Sequence, residues 1–179
     1  MLPAGHILGA AMVYINNPET SILFTGDIGR PHDLVMKTPT VVKNADHLIV
    51  ESTYGNRTHD PADPLDKLGD VVNRTIQRGG KVIIPTFAVG RAQSLMYAIH
   101  LLKKDNLIPN DVPVYLNSPM AEEATAIFDN HPGEYRLTTE QTEAMCRTAR
   151  IVADVEESKK LNLRKDPMII LAGSGMATG

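Results

Sequence analysis

Three side chains able to carry metal or acid–base chemistry fall at predicted strand edges in the first third of the chain. His6 lies in "AGHILGA", Asp27 closes "FTGD" and Glu51 closes "LIVE". Imidazole and carboxylate both ligate zinc. A carboxylate that follows three apolar residues must be exposed in a cleft, paired or metal-bound, because burying it alone is too costly. Gly26, just before Asp27, lets the backbone approach another segment closely. Each residue also has a structural reading. Asp27 reads equally as a turn cap and Glu51 as the partner of a nearby basic group. A lone His6 reads more readily as structural than as a ligand. Neither HxH nor HExxH is present, so spacing alone identifies no metal centre.

A second set lies where predicted strands pass into helices: Gly90, Arg91 and Gln93 in "PTFAVGRAQ", Ser118 in "LNSPMA" and Ser174 in "AGSGMATG". Ligands of open parallel sheets bind beyond the carboxyl ends of the strands, and free N–H groups with the helix dipole favour phosphate there. Gly90, Arg91, Ser118 and Ser174 are therefore candidate substrate-binding residues. Tight connections need small residues as well, so the structural reading stays open. Neither a Walker A nor a GxGxxG motif signals a nucleotide.

The elements that must position these groups follow from short apolar runs. "AAMVYI" and "SILFTGD" read as neighbouring strands joined by the turn "NNPET", and "HLIVEST" as a third. Beyond them, "KVIIPTF", "VPVYLNS", "MIILAGS" and the weaker "RIVAD" alternate with helices predicted over 64–78, 91–104, 119–130, 139–147 and 155–163. Ser118-Pro119 is a hydroxyl cap before a proline whose missing N–H costs nothing at the first helical position. Glu122 and Glu123 then face the positive end of the dipole. Thr138 to Gln141 and Asp154 to Glu157 resemble capping boxes, and Gly79-Gly80 stops a helix. Such alternation argues a mostly parallel sheet flanked by helices. A boundary near Tyr54–Asn56 divides the chain into residues 1–55 and 56–179.

Composition narrows the class. A chain of 179 residues with 42% hydrophobic residues can bury one sizeable core or two small ones. A net charge of −3 gives no global basic excess for nucleic acid or anionic membranes, so any such binding is local. The scattered lysines and arginines read mostly as solvated faces, and the Tyr and Phe residues are too dispersed to form a base-stacking platform. The single cysteine, Cys146, excludes an intrachain disulfide and a CxxC zinc motif, and fits a reducing, cytoplasmic location. No signal-peptide pattern opens the chain, and no apolar run approaches the ~18 residues of a membrane span, so no membrane partner is expected.

In order, "AGHILGAAMV", "FTGDIGR", "ESTYGNRTH", "IIPTFAVGRAQ", "NSPMA", "EESKKLN" and "SGMATG" resemble the β-CASP branch of the metallo-β-lactamase superfamily, which includes RNA-processing nucleases. The resemblance covers essentially the whole chain. It implies a partial metallo-β-lactamase αββα domain over 1–55 and a β-CASP cap over 56–179 that closes on it to form an RNA cleft. It implies that His6 is a zinc ligand and that Asp27 bridges two zinc ions. Glu51 becomes the first β-CASP motif, orienting a histidine toward the scissile phosphate, so that Asp27 and Glu51 are the catalytic residues. Zinc is the implied cofactor and RNA the implied substrate. DNA stays open, because some members of the branch act on it.

The family also places an HxHxDH motif ahead of the AGH segment and two histidine motifs after the SGMxTG segment, and this sequence carries none of them. It therefore resembles a fragment. Two ligands do not satisfy the three or four contacts that each zinc ion wants, so the chain alone is expected to lack catalytic metal and to be inactive. Strands separated from their covering elements should leave apolar surface open, so homo-oligomers through the truncated domain are expected. Two other readings belong to different classes: a non-catalytic β-CASP scaffold within an RNA-processing complex, and a plain α/β binder of small phosphate compounds.

Overall fold

Alternation of inward and outward side chains lays down a first sheet near the amino end. The computed structural model describes residues 1–173. In it β1 (Leu2–Pro3), β2 (Ala11–Asn16), β3 (Ser21–Phe24) and β4 (His47–Ile49) lie side by side in that order. β2 and β3 form the expected antiparallel hairpin, with Val13 opposite Phe24 and Asn16 opposite Ser21. Asn17 shapes its turn, its Oδ1 accepting from the N–H groups of Glu19 and Thr20 at 2.9 and 2.8 Å. β4 runs parallel to β3, and the long 25–46 segment supplies the crossover that a parallel pair needs. The Asp46 carboxylate accepts from the Ser21 N–H and hydroxyl at 2.8 and 2.7 Å, which pins the start of β4 beside the start of β3.

One face of this sheet buries Met12 and Leu23 against Ala4. The other leaves Val13, Ile15, Phe24 and Ile49 exposed. β1 escaped the sequence reading because a two-residue strand containing Pro3 has no periodicity to detect. Residues Gly133–Arg136 also belong to this first unit, with Met1–Pro61. Tyr135 pairs with Met36 in an isolated antiparallel bridge, and the Arg136 N–H donates to the Val35 carbonyl at 2.9 Å.

The second unit takes in Ala62–Pro132 and the chain from Leu137 onward. Its elements are α1 (Pro64–Gln77), β5 (Lys81–Thr86), α2 (Arg91–Lys104), β6 (Val114–Asn117), α3 (Pro119–Asn130), α4 (Thr139–Arg147), β7 (Arg150–Val152), α5 (Val155–Leu163) and β8 (Met168–Gly173). The helices match the predicted spans to within a residue. Their caps explain this: Ser118 accepts from the Ala121 N–H, Thr138 and Gln141 form the reciprocal capping box, and Asp154 accepts from the Glu157 N–H.

The second sheet is wholly parallel, in the order β5-β8-β6-β7. β8 comes last in the described chain yet sits between β5 and β6. Met168, Ile169, Ile170 and Leu171 are all buried there, as an uninterrupted apolar run requires when both faces are covered. Among the described residues β5 is an edge strand and carries Pro85, a residue that sheets confine to edges, strand starts and bulges. Among the described residues no helix is long and apolar enough to cross a membrane.

Gly173 closes β8 against the cap of α3. A Cβ there would lie 2.4 Å from both Cβ and Oγ of Ser118. Gly173→Ala should therefore displace the Ser118 hydroxyl from the α3 terminus. Overpacking of this kind costs about 1–3 kcal/mol, which urea denaturation would read as a lower midpoint with unchanged slope.

Candidate active site

Asp27 and Glu51 come together because they follow neighbouring parallel strands, which end on the same sheet edge. The junction is tied by Thr25: its N–H donates to the Ile49 carbonyl at 3.0 Å and its Oγ accepts from the Glu51 N–H at 3.3 Å. The chain then turns at Gly26, whose φ of 54° lies in the left-handed region. A Cβ on Gly26 would meet only the Ala11 carbonyl, at an ordinary 3.7 Å. This glycine serves the turn, not the close backbone approach that the sequence suggested.

The close approach is at Gly29. A Cβ there would fall 1.8 Å from the Gly5 carbonyl oxygen and 2.7 Å from the His6 nitrogen, so no side chain fits between the two strands of backbone. The Gly29 N–H donates to the Ala4 carbonyl at 2.8 Å. That crossing carries His6 to Asp27, with Nε2 and Oδ2 4.0 Å apart and side chains 47% and 71% exposed.

Glu51 is held by its own loop. Its carboxylate accepts from the Thr53 hydroxyl at 2.6 Å and from the Ile28 N–H at 2.7 Å. These bonds, Thr53 first, hold its pKa below the ordinary 4.5, and the nearby His6 adds a smaller effect in the same direction. Neither Thr53 nor the Ile28 amide was singled out in the sequence. Hydroxyl and amide donors around a carboxylate leave no motif when one of them is backbone.

Zinc–nitrogen and zinc–oxygen bonds of about 2.0–2.2 Å at a tetrahedral angle set two donors about 3.4 Å apart, so His6 and Asp27, 4.0 Å apart, would have to close slightly to share one ion. The donor types fit zinc. Among the described residues, however, no group of three or more His, Cys, Asp or Glu side chains is placed to hold a metal ion.

The second candidate set lies at the carboxyl edge of the parallel sheet. Thr86 pairs with Gly173 and Asn117 with Ala172, so the β5, β8 and β6 exits adjoin. Gly90 is the N-cap of α2, with φ 78° and no side-chain cap, and the exposed Arg91 opens that helix. Ser118 is only 7% exposed and its hydroxyl is occupied in capping α3. Gln93 is fully buried, its Nε2 donating to the Ala88 carbonyl at 3.2 Å and to Thr125 Oγ at 2.9 Å, so it braces the β5–α2 loop against α3. Ser174 lies outside the described residues.

Residues 92–179 match the family model of the Beta-Casp domain. A ribonuclease of Thermus thermophilus is 33% identical, over 98% of this chain and 42% of its own length. An RNase J-like protein of Methanocaldococcus jannaschii is 33% identical over the same shares, 98% and 42%. An endoribonuclease of Schizosaccharomyces pombe is 33% identical over 97% of this chain and 23% of its own length. The chain belongs to the β-CASP branch of the metallo-β-lactamase superfamily. It spans less than half the length of these relatives.

Two expectations test the geometry. Gly29→Ala should force the two backbone segments apart, lower stability by about 1–3 kcal/mol and separate His6 from Asp27. The loss of contacts between their side-chain protons in NMR spectra would report the separation. The lowered Glu51 pKa means that the folded state favours the carboxylate. Its contribution is present above pH 4.5 and is lost as pH falls through the lowered value. Thr53→Val should raise the Glu51 midpoint in a carboxyl NMR titration and weaken the acid dependence of stability; an unmoved midpoint would refute the assignment.

Proposed function

We propose that this chain is part of a zinc-dependent nuclease that hydrolyses RNA phosphodiester bonds, and that His6, Asp27 and Glu51 are its contribution to the reacting centre. The observation that carries the reading is the meeting of an imidazole and two hydrogen-bond-organised carboxylate segments on one sheet edge, in a chain similar to ribonucleases along nearly its whole length. The relatives named endoribonucleases favour internal cleavage.

His6, through Nε2, and Asp27, whose side chain is 71% exposed, would hold zinc. Zinc held there would supply a hydroxide at neutral pH and polarise the phosphodiester. Glu51 stays ionised through its Thr53 and Ile28 bonds, which suits it to orient and charge-stabilise an imidazole near the scissile phosphate. Gly90 and Arg91 open a helix at the carboxyl edge of the other sheet, where a phosphate of the RNA backbone would set register rather than sequence preference.

His6 and Asp27 supply only part of the coordination that a dinuclear centre requires. The purified 179-residue chain should thus carry well under two zinc ions and leave labelled single-stranded RNA uncut. Elemental analysis and a cleavage assay with added zinc check both. Near-stoichiometric dinuclear zinc with RNA cleavage abolished by Asp27→Asn would place the whole centre within this chain and overturn the partial-site reading.

A further inference from the structure

Residues 52–60 are exposed throughout, yet three of their side chains are gathered together. The turn is set by the Gly55 N–H bonding to the Ser52 carbonyl at 3.0 Å and the Arg57 N–H to the Tyr54 carbonyl at 3.2 Å. It returns Arg57 over the ring of Tyr54, with its guanidinium carbon 5.8 Å from the centroid. His59 meets the same ring edge-on, with centroids 5.4 Å apart and planes at 72°. Tyr54 remains 58% exposed, so packing into a core does not explain its presence. A cation over an exposed ring is a weak reason to keep an aromatic in water.

Tyrosine, histidine and the arginine plane are the groups on which unpaired RNA bases stack. Composition disperses the aromatics along the chain; the fold instead surrounds one of them with the two other stacking types. Its position matters as well. Tyr54 lies three positions beyond Glu51, so their Cα atoms are no more than about 11 Å apart even when extended, and the Glu51 carboxylate is fixed through Thr53 and Ile28.

We propose that Tyr54, with Arg57 beside it, is a stacking platform for an unpaired base adjacent to the scissile phosphate, with Arg57 turning to the neighbouring phosphate when RNA binds. This rests on the nuclease reading above and adds to it a preference for single strands, since a base held in a duplex offers no free face. Such stacking tolerates any base, so the platform confers strand-state selection without sequence selection.

The test uses the 179-residue chain and single-stranded oligoribonucleotides of about ten nucleotides, one of them carrying 2-aminopurine. Binding is read by anisotropy at several salt concentrations, and stacking by quenching of the fluorescent base. Tyr54→Leu should weaken binding about 5- to 150-fold, relieve the quenching and leave the salt slope unchanged. Tyr54→Phe should stay within about twofold of the unmodified chain. Arg57→Gln should flatten the salt slope by about 0.7. All three should unfold at the unmodified urea midpoint. RNA binding that is indifferent to Tyr54→Leu overturns the platform and leaves the nuclease reading standing. Weakened binding that follows a matching loss of stability, and that Tyr54→Phe does not rescue, also overturns it, in favour of a loop clamp. Absence of RNA binding by the unmodified chain removes both.

Discussion

Backbone laid directly on backbone is the contact from which the first unit takes its geometry. At the crossing of Gly5 and Gly29 the added methyl of any other residue would occupy the same space as a carbonyl. The absence of a side chain there lets the Gly29 N–H reach the Ala4 carbonyl. Because the constraint is steric, it is sharp: the neighbouring backbone cannot yield as a flexible side chain would. The consequence is chemical. His6 arrives beside Asp27 by a route that neither strand pairing nor core packing provides.

The parallel pair β3 and β4 supplies the other half of the arrangement. Parallel strands deliver their following residues to one edge, so Asp27 and Glu51 become neighbours although 24 positions separate them in the sequence. Thr25 and Asp46 hold this pair at its two ends with side-chain bonds to backbone groups. The edge thereby presents the exposed His6 and Asp27 beside Glu51, whose part-buried carboxylate is hydrogen-bonded in place. In the second unit the same rule works at larger scale. β8 enters the middle of a parallel sheet and brings its exit against those of β5 and β6, where the termini of α2 and α3 begin.

Much of this was legible in particular residues. Ser118, Thr138 and Asp154 announce helix starts because capping is a local bond between residues two or three apart. The run Met168 to Leu171 announces a strand covered on both faces. Other features had no local signature. Gly26 and Gly29 look alike in sequence, yet one is required by its own φ and the other by a segment 24 residues earlier. Ser118 and Gln93 look equally available for phosphate contacts, but both side chains are buried and engaged in holding α2 and α3. Tyr54 reads as an isolated aromatic until a turn folds Arg57 and His59 onto it.

Periodicity, capping and residue type are properties of short stretches, so the elements, the family resemblance and the groups able to do chemistry can be read along the chain. Which of those groups meet, which are committed to structural bonds and which face solvent follows only from the folded arrangement. Those outcomes depend on steric fit and hydrogen bonds between segments far apart in the chain. No local pattern encodes the separation of 4.0 Å between His6 and Asp27; it exists because a glycine 23 residues beyond His6 leaves room for the backbone to pass.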